Sequence, residues 1–291
     1  MISIIITAFK EPRTIGKAIE AFAKQKYPGS EIIVTAPDEE TLNEARKLKK
    51  KYKNMVLVKD KGNGKSAAMN LAVKKAKGNI LVFSDGDIHV SSDSLKNLIE
   101  QFSDEKIGAV SGRPISINKK DNKYGFWSYM LVDIAHRRRA LAAIKGKRFF
   151  CSGYLFAIRK KLLPKLPEGL LSEDGYISHK VYSSGFKIGY APKAEAYITY
   201  PDNFSDWIKQ KKRSAGGYNQ INKMIGVSMR SFTSESFGAL GFLKYPGNLK
   251  ETWWLIQLFI ARVYLWIKIY IDINIKKKKR EELWVRVEST K

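Results

Sequence analysis

Two aspartates separated by one glycine, Asp85-Gly86-Asp87, directly follow an apolar run at residues 79–84 that predicts a buried strand. Two neighbouring carboxylates repel each other and are costly to remove from water, so a fold that places them at a strand end usually gives them a cation to hold. This spacing predicts a site for a divalent metal ion and phosphate oxygens. A solvated turn after the strand is the alternative.

A glycine-containing loop at residues 61–66 lies between a predicted strand and a predicted helix. It does not fit the Walker phosphate-binding loop, because Lys59 stands where that loop needs a glycine. Residues 62–67 fit the dinucleotide-binding pattern, and Asp85 lies near the position of the acid expected about 20 residues later. An NAD-dependent oxidoreductase is therefore one alternative function, although it leaves Asp87 without a role.

The elements that must position these residues alternate between strand and helix over the first 110 residues. Such a pattern predicts a largely parallel sheet with helices on both faces. The predicted strands are residues 3–7, 31–35, 55–59 and 80–84, and the predicted helices are residues 14–26, 39–52 and 65–76. Ligands of these sheets bind at the carboxyl ends of the strands, where Asp85 and Asp87 are expected to lie.

Residues 107–225 have a mixed pattern, with strands near Ala109 and at 154–158 and with helices at 124–144 and 175–184. We expect this half to complete the sheet and to receive a second substrate. The chain is therefore divided into a domain of residues 1–225, with halves 1–110 and 111–225, and a C-terminal region of residues 226–291.

The composition indicates an enzyme-sized protein that can bury a sizeable core, with 291 residues of which 44% are hydrophobic. The single cysteine, Cys151, excludes an internal disulfide framework and a cysteine-based zinc site, and it suits a reducing compartment. Residues 1–8 are apolar but too short for a signal peptide and lack its basic start, so they are interpreted as the first strand. These features predict a cytoplasmic location.

The formal net charge of +25 predicts attraction to polyanions such as nucleic acid, acidic lipid headgroups or phosphorylated substrates. Solubility or a lysine-rich proteome is the alternative explanation. A nucleic-acid-binding protein is a second alternative function, but the sequence has no recognised nucleic-acid-reading module, and we expect no nucleic-acid partner.

Residues 252–275 are rich in aromatic and aliphatic side chains, interrupted by Arg262, Lys268 and Asp272. This pattern predicts an amphipathic helix, and its longest uncharged run, 252–261, is shorter than the ~18 to 20 residues that cross a bilayer. If it spanned, the basic run at 276–280 would emerge on the unfavourable side. We predict that the helix lies at an anionic membrane surface; a core or dimer helix and a true span are the alternatives.

Four segments, taken in chain order, resemble the inverting glycosyltransferase family 2, in its branch of cellulose, hyaluronan and ceramide glucosyl synthases. They are Lys65-Ser66-Ala67-Ala68-Met69-Asn70, Asp85-Gly86-Asp87, Leu171-Ser172-Glu173-Asp174 and Gln210-Lys211-Lys212-Arg213. The resemblance covers about residues 1–225. It implies a GT-A-type fold, which is an α/β, Rossmann-like mixed sheet flanked by helices, followed here by the C-terminal amphipathic helical region.

The resemblance also implies a role for each matched residue. Asp87 is the implied direct ligand of Mg²⁺ or Mn²⁺, which stabilises the departing diphosphate, and Asp85 serves the ribose and the metal shell. Asp174 is the implied base that takes the proton from the acceptor hydroxyl. The implied donor-binding residues are Ala8, Glu11, Asp38, Lys65, Asp85, Gln210 and Arg213, and the implied acceptor-binding residues are Glu173, Ser152 and Gly153.

Each of these roles has a structural alternative. Glu173 and Asp174 can equally form an N-terminal charge pair on a helix, and Gln210 to Arg213 can form a solvated basic helix. Lys65 can be structural. His89 as an extra metal ligand, and residues 136–139 as a site for an anionic acceptor lipid, are weaker possibilities beside an unliganded histidine and a solvated basic face.

The chain departs from the family pattern at two places. Ser214 stands where the family motif ends in tryptophan, and residues 35–38 lack the aspartate pair that reads the nucleobase, leaving only Asp38 nearby. The base is therefore open among uridine, guanosine and thymidine. The sequence as a whole predicts a metal-dependent, inverting transfer of a hexose from a nucleotide sugar to a lipid-linked, polyprenyl-phosphate or glycan acceptor at the cytoplasmic face of a membrane.

Overall fold

The computed structural model describes residues 1–226, 239–275 and 287–290. Their contacts form two compact units. The sheet unit comprises Met1–Ile115 and His136–Ile198, and the helical unit comprises Ser116–Ala135 and Thr199–Thr290. The domain boundary predicted at residue 225 stays a prediction, and the basic run at 276–280 lies outside the described residues.

The sheet unit alternates strands and helices along the chain. Its strands are β1 (Ile2–Thr7), β2 (Ser30–Ala36), β3 (Met55–Lys59), β4 (Ile80–Asp85), β5 (His89–Val90), β6 (Ile107–Ser116), β7 (Leu155–Arg159) and β8 (Lys187–Ile198). Its helices are α1 (Ile15–Ala23), α2 (Glu39–Lys51), α3 (Lys65–Lys75), α4 (Ser94–Glu100), the second part of α5 (Lys123–Ile144) and α6 (Glu173–Ser183). The elements predicted for the first 110 residues are observed, with helix ends shifted by at most three residues.

The eight strands form one sheet in the order β3-β2-β1-β4-β7-β6-β8-β5. Strands β1 to β4 pair in parallel, as expected for strands joined by helices. Strand β7 runs antiparallel to both β4 and β6, which makes the sheet mixed. The predicted mixed α/β sheet flanked by helices is confirmed.

One face of the sheet is covered by α3 and α6. Ile5 and Phe83 of the central strands pack in a single buried cluster with Met69 of α3 and Ile177 of α6. Each such side chain contributes about 1.5 to 3 kcal/mol when it leaves water. This packing fixes the amino termini of α3 and α6 over the same part of the sheet.

A buried hydrogen-bond network joins three segments at the amino-terminal edge of the sheet. Ser3 Oγ donates to Glu31 Oε1 at 2.7 Å, and the amide of Gly78 donates to Ser3 Oγ at 2.8 Å. The amide of Lys77 donates to the same Glu31 oxygen at 2.6 Å. A side chain at Gly78 would begin 2.5 Å from the backbone of Ile2, so only glycine fits there. The network ties β1, β2 and the start of β4 together.

The helical unit contains the first part of α5, α7 (Phe204–Ile225) and α8 (Leu249–Tyr270). Its core is aromatic: Trp127 packs edge-on against Trp207, with ring centroids 5.5 Å apart, and donates from Nε1 to the carbonyl of Trp254 at 2.7 Å. Asn203 and Asn248 cap α7 and α8, each accepting a hydrogen bond from a first-turn amide.

The C-terminal helix predicted at 252–275 is observed as α8 and a π-helical turn at Ile271–Ile275. By length and composition alone, α8 is long and apolar enough to cross a membrane. Its buried residues are Leu255, Leu258, Ala261, Leu265 and Ile269.

Candidate functional site

The Asp85-Gly86-Asp87 segment leaves the sheet at the carboxyl ends of two adjacent parallel strands. Thr7, the last residue of β1, pairs with Asp85, the last residue of β4. Thr7 Oγ1 donates to Asp85 Oδ1 at 3.3 Å, and the amide of Gly86 donates to the Thr7 carbonyl at 2.9 Å. Asp85 is therefore positioned by the sheet itself, and Asp87 follows two residues later, at the edge where such folds bind ligands.

Gly86 allows the chain after β1 to approach this segment closely. A side chain at Gly86 would begin 2.5 Å from Glu11 Oε2 and 2.7 Å from Ala8 Cβ. Glu11 is buried, and its amide donates to Thr41 Oγ1 at 2.8 Å. The structure thus brings two predicted donor-binding residues, Ala8 and Glu11, directly beside the aspartates.

Lys65 is the cation of the site. It begins α3, follows a loop in which Gly62 and Gly64 have positive φ of 73° and 96°, and forms an ion pair with Asp85. Burial lowers the pKa of Lys65, but the carboxylates of Asp85, Glu173 and Asp174 outweigh it and hold the pKa above its ordinary value. Lys65 therefore stays charged and compensates carboxylates from two elements, β4 and α6.

The first turn of α6 supplies the other two carboxyl groups. Burial raises the pKa of Glu173, while the Lys65 ammonium acts against that shift. Asp174 Oδ1 accepts a hydrogen bond from Ser172 Oγ at 2.7 Å, and its Oδ2 would lie 3.2 Å from a side chain placed at Gly153. Because Gly153 has no side chain, the Asp174 carboxylate can lie close to that backbone.

The segment before β7 completes this side of the site. The amide of Ser152 donates to Ser111 Oγ of β6 at 3.0 Å, and the amide of Cys151 donates to Ser178 Oγ of α6 at 2.9 Å. Burial raises the pKa of the Cys151 thiol to about 12, so this cysteine is an inert packing residue. The predicted acceptor residues Ser152, Gly153 and Glu173 thus lie together with Asp174.

Asp38 has a scaffold role in the structure. It caps α2 by accepting from the Thr41 amide at 3.0 Å, and its other oxygen accepts from the Lys10 amide at 2.8 Å. Burial raises the pKa of Asp38, but the hydrogen bonds from Thr41 and Lys10 outweigh it and lower the pKa below its ordinary value. These bonds hold the loop that carries Ala8 and Glu11; nucleotide contact by Asp38 stays a prediction.

Asp60 is a site-forming residue that the sequence reasoning missed. It follows β3 and accepts from Thr35 Oγ1 at 3.0 Å and from the Gly62 amide at 2.7 Å. It therefore fixes the glycine loop that presents Lys65. The available signal was an acid placed directly before a glycine loop, which is a common turn-forming arrangement.

Gln210 and Arg213 lie on α7, in the helical unit, so their contribution to donor binding stays a prediction. Ser214 is exposed and donates to the Gln210 carbonyl at 3.1 Å, a bond within its own helix.

His89 stacks on Tyr197 of the adjacent strand, with ring centroids 5.1 Å apart. His136 lies 2.8 Å from the Tyr190 hydroxyl, which makes it a packing residue of the sheet unit.

Asp85 and Asp87 offer the carboxylate oxygens that Mg²⁺ and Mn²⁺ prefer, so the donor set fits the predicted metal. Within the described ranges, no cluster of three or more His, Cys, Asp or Glu side chains is arranged to hold an ion. A metal held by these two carboxylates would take its remaining ligands from phosphate oxygens and water, as is usual for Mg²⁺ at nucleotide sites.

Comparison with protein families gives a match over residues 1–217 to a family described as glycosyltransferase-like family 2. Poly-β-1,6-N-acetyl-D-glucosamine synthase of Staphylococcus aureus (strain COL) is 26% identical over 229 residues, which is 76% of this chain and 55% of the relative. The Staphylococcus epidermidis enzyme of the same name is 23% identical over 226 residues, with the same coverage. The chain thus spans about half the length, 55%, of these curated relatives.

Solved structures support the fold. S. aureus TarS 1–349 in complex with UDP-GlcNAc superposes with a TM-score of 0.53 at 16% identity, covering 88% of this chain and 78% of the other. The TarS complex with UDP gives a TM-score of 0.52 at 17% identity, covering 82% and 78%. The predicted GT-A-type fold is confirmed, and because the family match extends over most of the chain, the protein belongs to the glycosyltransferase-like family 2.

Proposed function

We propose that the protein transfers a hexose from a nucleoside diphosphate sugar to an acceptor hydroxyl or phosphate, with inversion at the anomeric carbon. The observation that carries this proposal is the grouping of Lys65 with Asp85, Glu173 and Asp174 at the carboxyl edge of the sheet. Family membership supports the same reaction class.

The donor side is formed by β1, β4 and α3. Asp87, with Asp85, would hold Mg²⁺ or Mn²⁺, which when bound neutralises negative charge on the diphosphate. Lys65 supplies a fixed ammonium beside the same carboxylates. Ala8 and Glu11 border Gly86 and are the proposed wall of the nucleotide pocket. We include Asp38, Gln210 and Arg213 among the donor-binding residues on the basis of the motif alone.

The acceptor side is formed by the first turn of α6 and the segment before β7. Asp174 takes the proton from the acceptor oxygen as that oxygen forms its bond to the anomeric carbon, while the bond from that carbon to the diphosphate breaks. Ser172 orients the Asp174 carboxylate through its 2.7 Å hydrogen bond. If the acceptor is a phosphate monoester, already ionised at neutral pH, Asp174 serves to orient it.

For the donor we propose a UDP-sugar. This is supported by the TarS complexes with UDP-GlcNAc and UDP and by relatives named as N-acetylglucosamine polymer synthases. For the acceptor we propose a lipid-linked molecule, such as a polyprenyl phosphate, or a glycan at the cytoplasmic face of a membrane. The basic charge of the chain supports an anionic acceptor.

A thermal-shift panel with UDP, GDP, dTDP and NADH, each with and without Mn²⁺, tests the proposal. We expect UDP with Mn²⁺ to stabilise the protein by about 2.7 kcal/mol at a hundredfold excess over its Kd. Asp87→Asn should lose the metal-dependent part of that shift, and Asp93→Asn, an exposed aspartate of the same unit, should keep it. Stabilisation by NADH without metal, and none by UDP, would instead favour the oxidoreductase.

A further inference from the structure

The outward face of α8 is apolar along most of its length. Six large side chains recur at alternating spacings of three and four residues, and each is 44–61% exposed. These residues, which we call the outer stripe, are Trp253, Ile256, Ile260, Val263, Ile267 and Tyr270. A contiguous exposed patch of this kind marks an interaction surface.

Two polar residues of the same segment, Gln257 and Asp272, are turned toward the rest of the helical unit. At about 100° per residue, the outer stripe lies opposite the face that carries Leu258 and Leu265 into the aromatic core. Asp272, just after α8, is 3% exposed and forms an ion pair with Lys212 of α7. Oε1 of Gln257 is buried as well. A helix at a water surface has the reverse arrangement, with its polar face outward.

A lipid surface and a second copy of the protein are the two candidate partners of the outer stripe, and the net charge of the chain distinguishes between them. With a net charge of +25, two copies repel each other, whereas an anionic leaflet attracts each one. Lys250 and Lys268 lie about 100° from the centre of the outer stripe, on its flank. The sequence continues directly into Lys276-Lys277-Lys278-Lys279-Arg280, which adds about 1 kcal/mol of attraction per base near such a surface.

The helix that packs against α8 distinguishes an α8 that lies on the membrane from an α8 that crosses it. Helix α8 packs against α7, where Trp207 and Ile208 join the same core as Leu258. Helix α7 also carries Lys209, Lys211, Lys212 and Arg213. Hydrocarbon surrounding α8 would have to surround these cations too, at a cost of several kcal/mol.

We propose that α8 lies in the plane of an anionic phospholipid surface, with the outer stripe at the boundary between headgroups and acyl chains. The aromatic residues Trp253 and Tyr270, at opposite ends of the stripe, have the amphipathic rings that favour this depth. Helices of this kind bury their apolar face by about 5 to 10 Å. The inference goes beyond the sugar transfer and does not depend on it.

Vesicle sedimentation of the full chain tests this inference. The wild-type protein should sediment with vesicles of mixed phosphatidylglycerol and phosphatidylcholine, less with phosphatidylcholine alone, and less at high salt. Ile260→Asp combined with Ile267→Asp should weaken sedimentation by about tenfold or more, because each carboxylate would enter the apolar boundary. The matched control is Ile144→Asp, which changes an isoleucine that is 84% exposed and lies on α5.

Circular dichroism and the midpoint of thermal unfolding establish that each variant is folded. Equal sedimentation of the wild type and the folded double variant would overturn the inference. A concentration-dependent dimer in the absence of lipid, abolished by the double variant, would assign the outer stripe to a second copy instead. Retention of the protein in the membrane after alkaline carbonate extraction would overturn the in-plane arrangement in favour of a span.

Discussion

The two units of the molecule distribute polar and apolar groups in opposite ways. The sheet unit buries apolar strands and gathers the carboxylates of the candidate site at one edge, with Lys65 among them. The helical unit buries Asp206 and Asp272 and exposes the aliphatic and aromatic outer stripe. The difference supports the two proposals, that the sheet unit binds a polar ligand and that the helical unit faces the apolar boundary of a membrane.

The largest expected effect concerns the carboxylates of the sheet unit. If they serve chemistry, Asp174→Asn should lower kcat by about 10² to 10⁴ because the base is lost, with little change in stability since Asn can still accept the Ser172 hydrogen bond. Sugar transfer and thermal unfolding, measured on the same sample, check this. Full activity in the folded variant would show that Asp174 is only a helix-end charge.

Two glycine-to-alanine variants, one in each unit, compare how closely the two units are packed around the substituted glycine. Gly86→Ala places a methyl group 2.5 Å from Glu11 Oε2 and 2.7 Å from Ala8, so it should cost about 1 to 3 kcal/mol of unfolding free energy and weaken UDP binding. Gly241→Ala, in the helical unit, places its methyl group more than 4 Å from every heavy atom of the described residues beyond its chain neighbours, and should change stability by less than about 0.5 kcal/mol. Equal stabilities of the two variants in chemical denaturation would contradict the close contact at Gly86.

The smallest expected effect concerns the buried acid of α7. The hydrogen bond from Lys209 is the main cause that lowers the pKa of Asp206 to about 2, and the Ser289 amide also donates to it at 3.1 Å. Because the folded pKa lies below the unfolded value of 3.8, this stabilisation is present above pH 4 and disappears as the pH falls toward 2.

Asp206→Asn should therefore lower stability by no more than about 1 kcal/mol at neutral pH, with the difference from wild type closing below pH 4. Thermal unfolding as a function of pH measures this. Asp202→Asn, an exposed neighbour on the same segment, is the matched control. A difference that widened on acidification would show that the Asp206 pKa is not lowered.

Much of the sheet unit was predictable because local patterns and tertiary packing agree there. The four parallel strands appear in the sequence as apolar runs, and the acids of the site directly follow a strand or begin a helix. What the sequence did not reveal depends on contacts distant along the chain. Asp60 contacts Thr35, 25 residues away, and Gly86 approaches Glu11 only because β1 and β4 are neighbours.

In the helical unit, the C-terminal helix α8 was predictable from the sequence, but the face that it buries was not. At about 100° per residue, Gln257, Arg262, Lys268 and Asp272 fall on one arc of the predicted helix and leave the rest mostly apolar, which predicts an amphipathic helix. The structure turns Asp272 inward to Lys212, because α7 supplies a partly buried cation that no local pattern reveals. Which face of a helix is packed depends on its neighbours, and single-sequence periodicity does not contain that information.

The network of Ser3, Glu31 and Gly78 lies at the end of the sheet opposite the candidate site, yet it determines to which face of the sheet Asp85 points. Side chains alternate along a strand, so a slip of β4 by one residue against β1 would turn Asp85 to the other face of the sheet. The bonds from Gly78 and Lys77 fix where β4 starts, and Thr7 meets Asp85 as a result. The orientation of Asp85 is thus fixed seven to eight residues upstream, at Gly78 and Lys77, before β4 begins.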